Sequence, residues 1–125
     1  MVDDGRPYIV PMHFAYADGC LFLHSAPAGR KIDAIRRNPA VCFETFVDFE
    51  YKPAAEACGW STKYRSAMGT GAADLITARD EKTKALDAIM SKVASGPFTY
   101  TEKGIAAVTV IRVKIETLTG KKLGY

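Results

Sequence analysis

The sequence predicts an α+β domain, mainly β, whose antiparallel sheet closes toward a barrel, and three observations predict it. Apolar and β-branched runs alternate with turn signals in the order strand, strand, helix, strand, strand, helix, strand. Only the stretches 29–38 and 80–94 have helical period, and both are short. With so little helix to cover it, the sheet protects its edges by curling on itself.

Each element follows from local patterning. Pro7 to Tyr16 is rich in aromatic and β-branched residues and ends at Ala17-Asp18-Gly19, a turn signal. A second apolar run, Cys20 to His24, completes a hairpin. Gly29 to Asn38 places Ile32 and Ile35 three apart and stops at Asn38-Pro39, which predicts a short basic helix. In Ala40 to Phe49, Val41, Phe43, Thr45 and Val47 alternate with Cys42, Glu44, Phe46 and Asp48, a strand with one mostly apolar face. Glu50 to Gly59 loses its period around Pro53 and is expected to be an irregular excursion. A strand resumes near Tyr64 and runs to Ile76; Gly69 and Gly71 share a parity and mark a bend or close backbone approach. Asp80 to Ala94 repeats Leu86, Ile89, Met90 and Val93 at helical spacing and ends before Gly96-Pro97. Ala106 to Thr117 is a β-branched strand.

Composition bounds the function. A chain of 125 residues suits one domain, 1–125, and 48% hydrophobic with 25% charged is the globular average, which excludes disorder, collagen-like repeats and coiled coils. The longest strongly apolar stretch, Ile105 to Ile111, falls far short of the ~20 residues of a membrane helix. No basic leader precedes an apolar run, so a cytoplasmic protein is expected. A net charge of +3 is too small to argue for nucleic acid. Cys20, Cys42 and Cys58 form no Cys-x-x-Cys pair and the chain has no His cluster, so neither disulfides nor a metal site is expected. Cys42, mid-strand among apolar neighbours, reads as a buried thiol.

Two constellations stand out. In the first, His24-Ser25 end a strand, Pro27 and Gly29 turn the chain, and Arg30-Lys31 open a helix. Cations at a helix N-terminus oppose its macrodipole, and a bound phosphate would reverse that conflict by gathering amide donors and both cations. Solvated surface charges are the other reading of the same residues. In the second, Trp60, Ser61, Lys63, Tyr64, Arg65 and Ser66 mix one large aromatic, hydroxyls and cations, suited to stacking a ring and holding an anionic tail; the alternative is a Trp plugging the core. Tyr64 and Ser66 share one strand face, Lys63 and Arg65 the other.

Three stretches, GRPYIVPMHFAYADG, LFLHSAPAGRKIDAIRRNPAVCFE and CGWSTKYRSAMGTGAADLI, resemble the pyridoxamine 5′-phosphate oxidase-like FMN-binding split β-barrel superfamily, and within it the nitroimidazole-resistance-type flavoproteins. The resemblance covers about residues 5 to 118. It implies an antiparallel, Greek-key-like split barrel with small flanking helices, and a homodimer with FMN at the subunit interface. The strand Tyr8-Ile9-Val10-Pro11-Met12 would lie along the isoalloxazine. His24 and Ser25 would meet the ribityl chain and phosphate, and Arg30 and Lys31 would bind the phosphate. Trp60, Ser61, Tyr64, Arg65 and Ser66 would line the flavin pocket, some across the interface, with His24 or Tyr64 as proton donor. The implied activity is FMN-dependent oxidoreduction of a small molecule, nitroaromatic or nitroimidazole reduction being one form. A flavin- or haem-binding carrier or sensor without turnover is the alternative, and a deazaflavin-dependent reductase a third. Relatives have a helix and a first barrel strand before the turn that here reads Asp3-Asp4-Gly5, so a barrel lacking that strand is expected; His13 also departs from the small polar or aromatic residue common there.

Overall fold

Two Asp-Gly pairs fix the local geometry of the N-terminal third. Asp4-Gly5 and Asp18-Gly19 all adopt positive φ, 49° and 74° in the first pair and 50° and 74° in the second. Those angles let a two-residue turn match the twist of its flanking strands. In the computed structural model, which describes residues 1–125, the first turn joins β1 (Val2–Asp3) to β2 (Arg6–Pro7) and the second joins β3 (Phe14–Ala17) to β4 (Cys20–Ser25). The chain continues through α1 (Arg30–Arg37), β5 (Ala40–Lys52), a 3-10 turn (Ala57–Gly59), β6 (Ser61–Ile76), α2 (Arg79–Met90), α3 (Glu102–Ala106) and β7 (Thr109–Leu123).

The main sheet has five antiparallel strands in the order β3-β4-β7-β6-β5. Residues paired directly across a ladder project to the same face, so the register assigns faces. One face carries Leu21, Ala73, Ile111 and Val113 and is covered by Ile32 and Ile35 of α1. The other carries Ile76 and Val110 and is covered by Ala85 and Leu86 of α2. Ile32, Val110 and Ile111 are the fully buried large side chains. The glycines predicted to mark a close approach do so. A Cβ on Gly69 would stand 2.3 Å from the Thr117 carbonyl oxygen and 2.6 Å from Cζ of Phe43, and one on Gly71 would stand 2.3 Å from the Lys114 carbonyl oxygen.

Several boundaries differ from the sequence expectation. Residues 8–13, expected to be strand and to include Val10, Pro11 and Met12, have no regular structure, since Pro11 lacks a donor and the segment has no neighbouring strand to pair with. β5 runs on to Lys52 through a register shift between Val47 and Glu50, because β6 begins at Ser61 and offers it a partner. α2 stops at Met90, leaving Val93 76% exposed. Residues 102–106 form the short helix α3, capped by Thr101, whose Oγ1 accepts from the Gly104 amide at 3.0 Å. The last strand therefore starts at Thr109 and extends to Leu123. Cys42 is exposed, because β5 is an edge strand and its Cys42 face is uncovered by any helix. The strand that precedes Asp4-Gly5 is two residues long and pairs with β2 outside the main sheet. No helix is long and apolar enough to cross a membrane.

Candidate functional site

The first constellation assembles where β4 ends and α1 begins. Gly29 precedes the helix at φ 122°, a conformation that other residues rarely adopt, and no side chain caps the first turn. Its carbonyl oxygen accepts from the amides of Ile32 and Asp33 at 2.9 and 3.1 Å. The amides of Arg30 and Lys31 have no partner in the chain and point out of the helix end. Lys31 lies alongside them: its Nζ donates to Oγ of Ser25 at 3.1 Å, and Ser25 is buried at 7% exposure. Two amide donors, an ammonium and a hydroxyl at one helix end suit a phosphate.

Arg30 does not join Lys31. Its Nε donates to Oδ2 of Asp3 at 2.6 Å, and its guanidinium lies 4.2 Å from the centre of the Tyr8 ring. Arg37 also donates to Asp3, through Oδ1. The two arginines hold the Asp3 carboxyl below the ordinary carboxylate range, the Arg30 hydrogen bond being the larger cause. Consecutive strand residues face opposite ways, so His24 is exposed on the α2 face while Ser25 is buried on the α1 face. Beside this end runs the irregular segment 9–13, whose peptide groups make no hydrogen bond within the chain and whose Ile9 is 91% exposed. Unpaired backbone donors and acceptors of this kind can line a polar planar ring.

The second constellation lies at the other end of the sheet. Ser25 pairs with Thr109, next to Val110, which pairs with Ile76; Ser66 pairs with Lys121. From Ile76 back to Ser66 along β6 is a path of roughly 33 Å at about 3.3 Å per residue. Trp60 is 55% exposed, which removes the core-plug reading. Arg65 donates to Asp48 and lies 4.0 Å from the centre of the Tyr125 ring, and the Tyr125 hydroxyl donates to the Asp48 carbonyl oxygen at 2.5 Å. Arg65 and Ser66 border a shallow hollow of about 190 Å³ with Thr45, Phe46, Val47 and Ala67. Tyr64 is half-buried, with Lys121 Nζ 5.8 Å from its ring centre. A larger cleft, about 350 Å³ between α2 and the β3–β4 turn, brings together none of these residues. Its Arg112 is already held by Asp74 at 2.8 Å and Glu81 at 3.5 Å.

The order of these parts is that of a known family: a model of the pyridoxamine 5′-phosphate oxidase family matches residues 1–122. The chain belongs to that family. A candidate 5-nitroimidazole antibiotic resistance protein from Bacteroides thetaiotaomicron is 35% identical to it, over 94% of this chain and 69% of the other, with a TM-score of 0.81. The FAD and heme binding protein from Mycobacterium smegmatis is 23% identical over 99% of this chain and 63% of its own, with a TM-score of 0.85. The flavocytochrome Anf3 from Azotobacter vinelandii is 22% identical over 99% and 59%, with a TM-score of 0.83. The last two share the fold, an antiparallel split barrel, and this chain spans less than two thirds of their length. No curated protein sequence matches it significantly.

The segment sequence reasoning missed is the N-terminal hairpin. Asp3 meets α1 across 27 residues of sequence, and an acid in a two-residue strand carries no periodic signal of such a contact.

Proposed function

We propose that this pyridoxamine 5′-phosphate oxidase family member is a flavin-binding oxidoreductase acting on small molecules, with FMN as cofactor and a nitroaromatic as one class of acceptor. The observation that carries the reading is the Lys31–Ser25 contact beside the unpartnered first-turn amides of α1. It is a ready phosphate site, in a family whose fold relatives include proteins named for FAD binding.

In this reading Lys31, Ser25 and the amides of Arg30 and Lys31 bind the phosphate, and the unpaired peptide groups of 9–13, including Val10 and Met12, orient the ring. Pro11, which has no N–H, offers only its carbonyl oxygen. When bound, the flavin supplies two-electron transfer between a nicotinamide donor and the acceptor. His24 or Tyr64 holds and delivers the accompanying proton, from the imidazole nitrogen or the phenol oxygen. The two lie at opposite ends of the sheet, as do Ser25 and the Trp60, Ser61, Arg65 and Ser66 group. A single chain cannot bring both sets to one flavin, so the reading requires a homodimer in which one protomer brings its β4–α1 end to its partner's β5–β6–β7 arm.

The arm supports this requirement. Phe46, Phe49, Tyr51, Met68 and Leu123, each between 41% and 71% exposed, share one face of it, while Val47 and Leu118 are exposed on the other. An apolar patch of that extent marks an interaction surface. Phe49 packs edge-on against both Phe46 and Tyr51, with ring centres 6.0 and 5.0 Å apart, forming a cluster with no cover within the chain.

The test is direct. Purified protein should carry flavin absorbance that a nicotinamide donor bleaches and a nitroimidazole restores. A Soret band, or a flavin inert to both reagents, would instead support the carrier or sensor reading. Lys31→Ala should weaken FMN by about 10- to 100-fold while leaving riboflavin binding unchanged, as expected for a lost charge-assisted phosphate contact of roughly 1.5–3 kcal/mol. Phe46→Glu should shift the protein from dimer to monomer in sedimentation, and the monomer should lose flavin; a monomeric wild type that binds flavin would refute the shared site.

A further inference from the structure

In the proposed phosphate site, one of the two expected cations is already taken. Arg30 is the first residue of α1 and Arg37 the last, about 10 Å apart along the helix at ~1.5 Å per residue, and the Asp3 carboxylate lies between their guanidinium groups, one oxygen on each. Side chains on a helix ordinarily lean toward its N-terminus. Here Arg30 reaches the other way, toward an acid it shares with the helix's last residue, and lies on the Tyr8 ring at 4.2 Å. Asp3 is well enclosed, its side chain 11% exposed, whereas Arg30 is 61% exposed.

We propose that Asp3 is an internal competitor for Arg30 and thereby a specificity-determining residue of the anion site. The inference rests on the phosphate reading above and adds to it. While Asp3 holds Arg30, the helix end presents Lys31, Ser25 and two amides, a set with one formal positive charge. A dianion at those donors attracts Arg30 more strongly than a singly charged carboxylate does, and the arginine end of the pair is already open to solvent. Arg30 turns from Asp3 to the incoming phosphate; one ion pair breaks and another forms. Release does not strand the enclosed carboxylate, because Arg37 keeps its bond to Oδ1 and Asp3 remains paired. The arrangement favours dianions over carboxylates and other monoanions, which cannot repay the loss of the Asp3 contact.

The displaced contact also anchors the N-terminal hairpin. The Met1–Tyr8 hydrogen bonds at 3.0 and 2.9 Å only close the hairpin on itself; its other ties to the body are the Arg37 pairs with Asp3 and Asp4 and the packing of Met1 on the α1-side core. Phosphate binding at α1 should therefore loosen the β1–β2 hairpin.

Two measurements on the full-length chain test the inference. In the first, FMN and riboflavin are titrated against the wild type, Asp3→Asn and Arg37→Gln. Asp3→Asn should raise FMN affinity about 3- to 10-fold with riboflavin affinity unchanged, and Arg37→Gln, which leaves Asp3 dependent on Arg30, should lower FMN affinity. Where the wild type itself prefers FMN, an unchanged or reduced FMN-to-riboflavin ratio in Asp3→Asn overturns the competition. In the second, the Arg30 Nε–H and the Tyr8 amide are followed by NMR in the wild type as inorganic phosphate, and separately acetate, is added. Phosphate should shift the Arg30 signal and speed exchange of the Tyr8 amide, and acetate should do neither. If phosphate leaves both signals unchanged, Asp3 is no competitor, whatever the flavin result. If the wild type shows no preference for FMN over riboflavin while phosphate still displaces Arg30, the flavin reading fails and the competition stands.

Discussion

Lys31 donates from Nζ to Oγ of Ser25 at 3.1 Å, tying the first turn of α1 to the last residue of β4. The serine is buried and the lysine half-buried, so the contact orients an ammonium that a fully exposed lysine would leave mobile. Ser25→Ala should therefore reduce FMN affinity about threefold to tenfold, the worth of roughly 0.6–1.4 kcal/mol for one hydrogen bond, and leave riboflavin affinity and the denaturation midpoint nearly unchanged. Isothermal titration with both ligands checks it; an equal loss for riboflavin would mean the serine supports the fold and not the phosphate.

Gly69→Ala should destabilise strongly. The added Cβ would meet a backbone carbonyl oxygen at 2.3 Å and the Phe43 ring at 2.6 Å, so both β7 and a core aromatic would have to move. Overpacking of this kind costs about 1–3 kcal/mol or more. A urea melt should show the midpoint falling without a change in slope. Gly5, where a Cβ would meet nothing within 4 Å, makes the useful contrast: its alanine variant would suffer only from the positive φ.

Lys82→Met should cost about 1–3 kcal/mol, although it keeps the apolar stem. Lys82 is 8% exposed, and its Nζ donates to the Ile105 carbonyl oxygen at 2.5 Å, satisfying the end of α3. Methionine leaves that carbonyl only the long contact from the Val108 amide at 3.4 Å. Amide exchange should show α3 opening before the sheet, because the variant leaves the exposed Arg79–Glu102 ion pair as the polar link from α2 to α3.

Stability should fall in strong alkali through Tyr100. Burial, aided by the facing Asp87 carboxylate, pushes its phenol up to about 12. The folded form holds this proton more tightly than the unfolded chain, so the contribution is complete below the ordinary tyrosine value near 10 and is lost as pH rises toward 12. Thermal melts of the wild type should fall more steeply across that window than those of Tyr100→Phe; parallel curves would mean that Tyr100 is not the group responsible.

Most of the fold was legible because its signals are local. Asp18-Gly19 announced the β3–β4 turn, Ile32 and Ile35 the buried face of α1, and Leu86 and Ile89 that of α2. Gly69 and Gly71 announced a close approach on one face, although not that Phe43 and two β7 carbonyls fill it. Within the site, the nearness of Ser25 and Lys31 follows from a strand that ends five residues before a helix starts. The placement of Arg30 did not follow, because its partner is an acid in a separate hairpin.

The sequence by itself determined the order of the five strands of the main sheet and of α1 and α2, and the Asp18-Gly19 turn, since each depends on neighbours a few positions away. Tertiary structure alone decided which strand became an edge, and so exposed Cys42. It carried β5 and β7 past their expected ends, because a strand continues for as long as a neighbour offers hydrogen bonds. It also turned His24 and Ser25 to opposite faces of a particular sheet, set Trp60 and Ser66 at the far end of that sheet, and gave Arg30 to Asp3. These are outcomes of long-range pairing, in which contacts between distant segments compete and no local period records the winner.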